Sequence, residues 1–593
     1  MKDGDILEKF KSACLSRKKG KAEIIALLLY IAGTIIISYF HEPFFDEAQA
    51  WNIARSASIK EIFTFVPHYE GHPPLWHLIL APFAKSGAPF HLSVSLVNIT
   101  FCTAAIALLL FKSPFPKAIR CTLPFTYFCF YQYGVISRPY SMMMLAFMLM
   151  AITYKNRNEK PWQYIFSMTF LCLTTSLGLL LAGGLCLVWT YEIITQLIKE
   201  KKMNRFYADK RFIPLCFILA CAILIVITVM PADNCYYEGV DQNPTFWDII
   251  KYKPNTLAFL YNPYECWSGT LVNMNYNATN DMFRCYLEAF FGLICWIALI
   301  AITKKNKKLL TFLIPYLAFD IFQSYHYSSI HHLGIVSTFH IFIFWIITDE
   351  NGKIELPDFF GKIGSSLKSP LIRKIAGTGL CGLYLINVVF SGVSSFNDIR
   401  YSYSIQPVAD FIKENDLEDR KIMVAWDFNY SKADPDNTNG NSIFYDFAIP
   451  SNHPKVTSNH TLVIGTASTL MPYFDHNIFM NFNNYKYKDD FYMHYEYKED
   501  KEAVFDSWEE QGLPDIIIGY CPIDEVYDYA TFKDVRYAII NECKIHVNFK
   551  LHTTDNRTFV YMREDLLDEY PQLSAIYNPK IAGEYVPETE KEK

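Results

Sequence analysis

The apolar residues of this 593-residue chain are gathered into long runs within its first two thirds. A helix that crosses about 30 Å of hydrocarbon needs roughly 20 residues, and fewer when its ends snorkel. This criterion predicts eleven membrane-spanning helices, at approximately residues 24–40, 92–111, 121–137, 139–154, 161–178, 179–197, 212–230, 286–303, 309–325, 333–348 and 375–393. The pattern is therefore that of a polytopic α-helical membrane protein.

The pattern changes after residue 393, because residues 394–593 are rich in Asp, Asn, Tyr and Lys and contain no run of spanning length. Short β-type runs alternate there with helical patterns. The β-type runs are Ile422–Trp426, Leu462–Ile464, Ile516–Ile518 and Thr558–Met562, and the helical patterns are Val408–Glu414 and Lys501–Gln511. This order predicts a C-terminal soluble α/β domain.

Lys and Arg are concentrated in alternate loops, namely 11–22, 112–120, 155–160, 199–211, 304–308 and 349–374. The intervening loops 41–91, 135–139, 231–285 and 326–332 are much poorer in these residues. Because basic loops stay on the cytoplasmic side, the segment 1–23 is predicted to be cytoplasmic. The loops 41–91 and 231–285 and the C-terminal domain are predicted to be exterior, most simply on a bacterial inner or plasma membrane.

The first apolar run follows a basic start, as a secretory signal does. It is long, however, and His41-Glu42-Pro43 follows it in place of the small residues of a cleavage site. We interpret it as an uncleaved membrane anchor.

Charge and cysteine content exclude two classes of partner. The net charge of -6 is spread over both halves, so no basic stripe indicates nucleic-acid binding. The fifteen cysteines form no Cys-x-x-Cys pair and show no zinc-ligand spacing. Membrane lipids are the partners that the composition itself predicts.

The first exterior loop carries the residues most suggestive of chemistry. Asp46 and Glu47 lie where the first span leaves the membrane, and Glu-Gly-His-Pro-Pro-Leu follows at residues 70–75. Glycosyl transfer needs a carboxylate that removes the acceptor proton while the anomeric carbon gains positive character. Asp46 is the candidate base and Glu47 the second candidate catalytic carboxylate. Helix N-termini also favour acidic residues through the helix dipole, so a purely structural role remains the alternative.

A lipid-phosphate leaving group requires a cation or a hydrogen-bond donor at headgroup depth. His72 and Arg138 are suited to this role, since imidazole and the planar guanidinium both bind phosphate well. Arg138 lies in Ser-Arg-Pro-Tyr at residues 137–140, which makes Tyr140 a further candidate for substrate binding. The alternative for His72 is an interfacial residue ahead of a Pro-Pro helix start.

Taken together, Phe-Asp-Glu after the first span, His-Pro-Pro-Leu and Ser-Arg-Pro-Tyr resemble motifs of the GT-C superfamily of membrane glycosyltransferases. Within it, the protein O-mannosyltransferases and lipid A aminoarabinose transferases are the most similar group. The resemblance covers roughly residues 24–393. It implies a GT-C-like fold, a polyprenyl-phosphate-linked sugar as donor, and a lipid, glycan or protein acceptor. By resemblance, Asp46 corresponds to the catalytic acid and Arg138 to an arginine at the exterior end of the third and fourth spans.

The chain departs from these families at three places. His72 stands where the aminoarabinose transferases have a lysine, and His331 stands where an arginine is expected before His332. The acidic residue that follows the arginine in the mannosyltransferases is absent after Arg138. His331 and His332 are thus candidate phosphate ligands, with a charge that is weaker near neutral pH.

A divalent metal is an alternative use of the histidines. His326, His331 and His332 could bind one together with Asp46 or Glu47. Adjacent histidines point in different directions on a helix, so ordinary interfacial histidines are the simpler interpretation. No cofactor is assigned on this basis.

Two rival functions differ in what they require. A transporter or flippase of lipid-linked sugars predicts charged or Gly/Pro-broken segments at mid-membrane in paired halves, and no such pairing is evident. A receptor or scaffold acting through the C-terminal domain predicts no need for Asp46.

Overall fold

The computed structural model describes residues 16–43, 45–232, 253–268, 282–325, 330–358, 370–400, 405–424, 466–480, 512–519, 537–549 and 552–575. It is mostly helical and carries one small sheet. The helices before residue 405 are α1 (Lys21–Phe40), α2 (Phe45–Ser56), α3 (Ile59–Thr64), α4 (Pro67–Glu70), α5 (Leu75–Lys85), α6 (Phe90–Lys112), α7 (Lys117–Thr122), α8 (Tyr140–Tyr154), α9 (Pro161–Cys172), α10 (Ser176–Lys199), α11 (Phe212–Val229), α12 (Lys253–Ser268), α13 (Met282–Lys305), α14 (Leu309–Tyr325), α15 (Ile330–Asn351) and α16 (Pro370–Arg400).

Six of the described helices are long and apolar enough to cross a membrane. They are α1, α6, α10, α11, residues Leu287–Lys305 of α13 and residues His331–Asn351 of α15. Two shorter apolar segments are α8 and residues Leu309–Gln323 of α14. This agrees with the predicted helical membrane protein, whereas the number of eleven spans stays a prediction.

The burial of these helices shows which of them lies inside the bundle and which lies at its surface. Helix α15 is almost entirely buried, so it lies at the centre of the bundle. Helix α11 instead exposes large apolar side chains, including Ile213, Leu219 and Leu224. Such a continuous apolar surface is stable in hydrocarbon and costly in water.

The predicted span at 121–137 is not a single helix. The chain passes from α7 through a 3-10 turn at Leu123–Phe125 to a π-helical segment at Phe128–Gln132. Asn98 of α6 donates hydrogen bonds to the carbonyls of Tyr133 and Gly134, at 3.0 and 3.2 Å. Irregular backbone is tolerated inside a bundle when neighbouring side chains satisfy it in this way. Hydropathy alone cannot show such a break.

The predicted exterior loop 231–285 also contains a buried element. Helix α12 packs against α13, α14, α15 and α16. Its Asn262 amide donates to Asp320 at 3.0 Å, and the indole of Trp267 donates to His340 at 2.9 Å. The aromatic and polar residues of α12 are therefore used partly for helix packing, which the loop interpretation did not anticipate.

Several of the basic loops meet at one end of the bundle. The Arg157 guanidinium lies 2.8 Å from Glu192 and 3.6 Å from Glu350. The Lys308 ammonium lies 2.7 Å from the same Glu350. The loops after α8 and α13 and the ends of α10 and α15 thus share one surface.

The N-terminal segment joins this same end. Arg120 forms a buried ion pair with Glu23 and donates to the carbonyl of Lys18. The ring of Phe115, just before α7, packs at 6.2 Å against Trp345 of α15. The grouping of basic segments that the sequence predicted is therefore matched by their contacts.

The C-terminal residues form a four-stranded sheet with helix α17 (Gln406–Glu414) packed on it. Its strands are β1 (Ile422–Val424), β2 (Ile516–Gly519), β3 (Tyr537–Phe549) and β4 (His552–Arg563), in the order β1-β2-β4-β3. The β1-β2 pair is parallel and the other pairs are antiparallel. Helix α17 buries Val408, Ala409 and Ile412. The predicted strands near 422, 516 and 558 are confirmed, whereas 462–464 and 501–511 lie outside the described residues.

This sheet domain is attached to α2, in the loop 41–91 that the sequence predicts to be exterior. Phe45 of α2 is buried in the core of the sheet domain. Arg55, at the other end of α2, donates to the carbonyls of Phe474 and Met471 at 2.8 and 2.9 Å. Burying one large apolar side chain stabilises by about 1.5–3 kcal/mol, and each hydrogen bond adds to this.

Candidate active site

An ion pair between two separated segments forms the centre of the site. Asp46 lies in the first turn of α2, and Arg138 lies in the turn that leads into α8. Their side chains meet at 2.7 Å and retain 25% and 14% exposure, respectively. The broken backbone before α8 delivers Arg138 to this position. The structure therefore brings together the carboxylate and the guanidinium that the sequence singled out.

Aromatic and imidazole rings extend the site from Arg138 to α15. The guanidinium lies 5.4 Å from the centre of the Tyr140 ring, within cation–π range. The Tyr140 ring in turn packs against His331 at 5.3 Å and His332 at 6.5 Å. Both predicted histidines are thus beside the predicted arginine. The Tyr133 hydroxyl, which donates to the His331 carbonyl at 2.6 Å, fixes the start of α15 against this turn.

His72 enters the site from the turn between α4 and α5 as a neutral ring. Burial, together with the charges of Arg138 and the nearby His77, lowers its pKa to about 3. Its Nδ1 atom is buried without a hydrogen-bond partner among the described residues. A neutral imidazole with an unused nitrogen can donate to or accept from a ligand, but it is not the cation that a lysine would supply.

Glu47 has a different position from Asp46. Its side chain is 1% exposed, and one carboxylate oxygen accepts from the Ser137 backbone N–H at 2.5 Å. The other oxygen lies 3.2 Å from Nε2 of His41, whose Nδ1 lies 3.2 Å from Asp398 of α16. Adjacent residues on a helix point about 100° apart. The Asp46 side chain therefore reaches Arg138, whereas the Glu47 side chain bridges Ser137 and His41.

The bridge holds a protonated histidine. Burial lowers the pKa of His41, but the Glu47 and Asp398 carboxylates outweigh it and raise that pKa to about 10. The positively charged ring then ties α1, α2 and α16 together behind the site. Of the two candidate catalytic carboxylates, Glu47 is the one committed to this framework.

Glu70, which our sequence analysis did not select, is a second carboxylate beside Asp46. It ends α4, and its carboxylate accepts a hydrogen bond from Gln49, one helical turn after Asp46 on α2. Gln49 itself accepts from the Ser468 hydroxyl at 3.0 Å. Glu70 stands two residues before His72, and this position could have singled it out in the sequence. Its contact with Gln49, in contrast, depends on the fold.

Both carboxylates have raised pKa values. Burial raises the pKa of Asp46, Arg138 opposes this rise, and Glu47 adds to it. Burial also raises the pKa of Glu70, to about 7, with the Asp46 charge adding and with Gln49 and Arg138 opposing. A carboxyl group whose pKa lies near 7, as that of Glu70 does, exchanges protons readily near neutral pH.

The described residues contain one group of three side chains spaced to hold a metal ion, and it lies elsewhere. That group is Glu418, Asp475 and His476 on the exposed side of the sheet domain. His331 and His332 form no such group with Asp46 or Glu47 in the described part of the chain. His326 lies outside the described residues.

The arrangement can hold an anion and accept a proton at one place. Arg138 supplies fixed charge, His72 supplies a neutral hydrogen-bonding ring, and Asp46 and Glu70 supply proton acceptors. Comparison with known proteins adds no identity, because no protein-family model, no curated protein and no solved structure matches this chain.

Proposed function

We propose that the protein is a membrane glycosyltransferase that takes a sugar from a polyprenyl-phosphate donor. The observation that carries the proposal is the meeting of Asp46, Arg138 and His72 with the Tyr140–His331–His332 cluster, from three distant stretches of sequence. A phosphate-linked sugar needs both an anion holder and a proton acceptor within reach of one carbon atom. The resemblance to GT-C enzymes supports the same assignment.

In the proposed reaction, Arg138 binds the lipid phosphate and His72 donates a hydrogen bond to it. Engagement of Arg138 by phosphate loosens its ion pair with Asp46. Asp46 then removes the proton of the acceptor hydroxyl or amine as the acceptor atom bonds to the anomeric carbon. The bond between that carbon and the phosphate oxygen breaks, and its electron pair leaves with the lipid phosphate.

The proposal includes a location. The chain crosses a bacterial inner or plasma membrane eleven times. The N-terminus lies in the cytoplasm, together with the end of the bundle where the basic loops meet, which we call the basic end. The site and the sheet domain then face the exterior, where the acceptor is a lipid, a glycan or a protein. No cofactor is assigned.

Single-turnover transfer from a radiolabelled polyprenyl-phosphate sugar, by purified protein with saturating donor, tests this function. Asp46→Asn keeps the shape and hydrogen bonding of the side chain but removes the base, so transfer should slow by about a hundred- to ten-thousand-fold. Asp419→Asn, at an exposed position of the sheet domain, is the matched control and should behave as wild type.

Transfer by Asp46→Asn at the wild-type rate would show that Asp46 is not the base. Movement of labelled lipid across the bilayer without sugar transfer would instead identify a flippase.

A further inference from the structure

We propose that the interior of the bundle binds a small monovalent cation between α12 and α14, through Asp320, Asn262 and Tyr316. This site is separate from the candidate active site and does not depend on the proposed sugar transfer. One of its side chains is a carboxylate, and the other two supply neutral oxygen atoms. It therefore differs from the exposed group on the sheet domain, whose members are all titratable.

Asp320 is a fully buried carboxylate in an apolar helix. It lies about 17 Å along α14 from Leu309, within a segment that the sequence predicts to span the membrane. Its Oδ1 atom accepts from the Asn262 amide at 3.0 Å, and its Oδ2 atom has no hydrogen-bond partner among the described residues. An ionised carboxylate in these surroundings needs a positive charge, because a single amide does not replace its hydration.

The side chains around Asp320 do not supply that charge. In the described ranges no Lys, Arg or His forms an ion pair with it. His340 of α15 packs with its ring 5.6 Å from that of Tyr316, and its Nδ1 atom accepts from the indole N–H of Trp267 at 2.9 Å. A protonated imidazole has no nitrogen that can accept, so this ring is neutral.

Two neutral oxygen atoms beside Asp320 complete the proposed ligand set. Asn262 Oδ1 and Tyr316 Oη are buried and have no hydrogen-bond partner among the residues that the structure describes. The Asn262 nitrogen contacts two acceptors, Asp320 at 3.0 Å and Gln323 Oε1 at 3.3 Å, so the orientation of the amide is fixed and its oxygen is left for a ligand. Tyr316 stands one helical turn before Asp320 and interacts with it electrostatically. Carboxylate, amide and hydroxyl oxygens are hard ligands, which suit hard cations.

Proline interrupts both helices beside these ligands. Pro263 follows Asn262 directly, and Pro315 directly precedes Tyr316. Proline lacks the N–H group of the helical hydrogen-bond ladder and bends the helix. Interrupted helices are the elements that line cation sites within membrane proteins.

The charge balance favours a monovalent ion. Asp320 contributes one negative charge, which one monovalent cation neutralises, whereas a divalent ion would leave a positive charge in the low-dielectric interior. Glu265 of α12 and Glu288 of α13 are also buried, but each has interactions of its own and is not assigned to this site. The bound cation then ties α12 to α14.

Thermal midpoints of the full-length protein in detergent test the site. Wild type is compared in choline chloride, sodium chloride and potassium chloride at equal ionic strength, so that charge screening is the same. Sodium or potassium should raise the midpoint saturably, by on the order of a few degrees, because an ion that binds only the folded state stabilises it. Asp320→Asn keeps the shape of the side chain without its charge and should lose this rise. Its midpoint in choline chloride should equal or exceed that of wild type, because no unpaired charge is then buried.

Asn262→Leu removes one ligand and retains the bulk of the side chain, so about tenfold more salt should be needed for the same rise. Asp419→Asn, exposed on the sheet domain, is the control and should keep the wild-type rise. Equal wild-type midpoints in the three salts would show that Asp320 is held as a neutral acid or by water alone, and would overturn the site. A rise that persists in Asp320→Asn, or that magnesium chloride produces and the monovalent salts do not, would overturn it as well. Sugar transfer is not measured, so the outcome is independent of the proposed function.

Discussion

At the scale of single residues, neighbouring acidic side chains have separate tasks. Asp46 faces Arg138 and retains access to water, whereas Glu47 is buried between Ser137 and His41. A single carboxylate per turn can reach a given point beside a helix, because successive side chains diverge by about 100°. The acidic pair in the sequence therefore supplies one group to the site and one to its framework.

Arg138 allows a prediction about donor binding. Arg138→Lys keeps the positive charge but loses the planar fork that holds phosphate with two hydrogen bonds. We expect a higher Michaelis constant for the polyprenyl-phosphate donor, by about tenfold if one charge-assisted hydrogen bond is lost, with folding retained. Donor titrations of the purified variant measure this effect. A Michaelis constant equal to that of wild type would argue against a phosphate contact.

The His41 bridge predicts a pH dependence of stability. The pKa of His41 is about 10 in the folded protein, above its ordinary value of 6.5. Its stabilising contribution is therefore complete below about pH 6.5 and is lost as pH rises through about 10. Thermal midpoints in detergent should fall over that window more steeply for wild type than for His41→Gln.

His476→Gln is the control for this comparison. His476 lies at the surface beside Asp475 and has no contact with the bridge. Its pH profile should follow that of wild type. Parallel profiles for wild type and His41→Gln would contradict a charged bridge.

At the scale of elements, the break before α8 positions the site. A straight helix over 121–137 would satisfy its own backbone and would leave no turn to carry Arg138. The observed segment leaves carbonyl groups that Asn98 and neighbouring side chains satisfy instead. An irregular segment can lie inside the bundle because hydrogen bonds from neighbouring side chains replace those that a regular helix would make within itself.

This dependence predicts the effect of Asn98→Ala. Removing the amide leaves the Tyr133 and Gly134 carbonyls without this donor, which should cost about 1–3 kcal/mol. The thermal midpoint should fall and transfer should slow, because Arg138 follows this segment directly. Thr100→Ala in the same helix is the control, since that exposed hydroxyl bonds only to the Leu96 carbonyl of its own helix. Equal midpoints for both variants would contradict the role of Asn98.

At the scale of the whole molecule, the bundle has two chemically different ends. One end joins the basic segments through Arg157, Lys308 and Arg120. The other carries the site and the sheet domain, which are joined through α2. The positive-inside rule places a basic end of this kind in the cytoplasm, which is the orientation that we propose.

Cysteine labelling in intact cells tests the orientation. Ser86→Cys and Asp419→Cys occupy exposed positions at the site end, so an impermeant reagent should label both. Lys353→Cys, exposed at the basic end, should be labelled only after the cells are permeabilised. The parent chain measures background from native cysteines. Labelling of Lys353→Cys alone in intact cells would reverse the topology.

The sequence by itself determined the features that depend on local pattern. Apolar runs indicated membrane helices, short β-type runs indicated the strands near residues 422 and 516, and the basic loops that the sequence grouped together are in contact. Hydropathy and periodicity are properties of neighbouring residues, and the solvent around each segment selects for them directly. Asp46 and Arg138 were also accessible in this way, because their motifs stand near the ends of apolar runs, and His72 was accessible through the Pro-Pro motif that follows it.

Only the tertiary structure decided which of these groups meet and which are committed elsewhere. The separation of Glu47 from Asp46, the place of Glu70 beside Gln49, the break before α8 and the burial of α12 all depend on partners far away in the chain. A carboxylate acquires its chemistry from desolvation and from nearby charges, and these are fixed only when distant segments pack. For that reason the sequence could propose the components of the site, whereas the fold decided their roles.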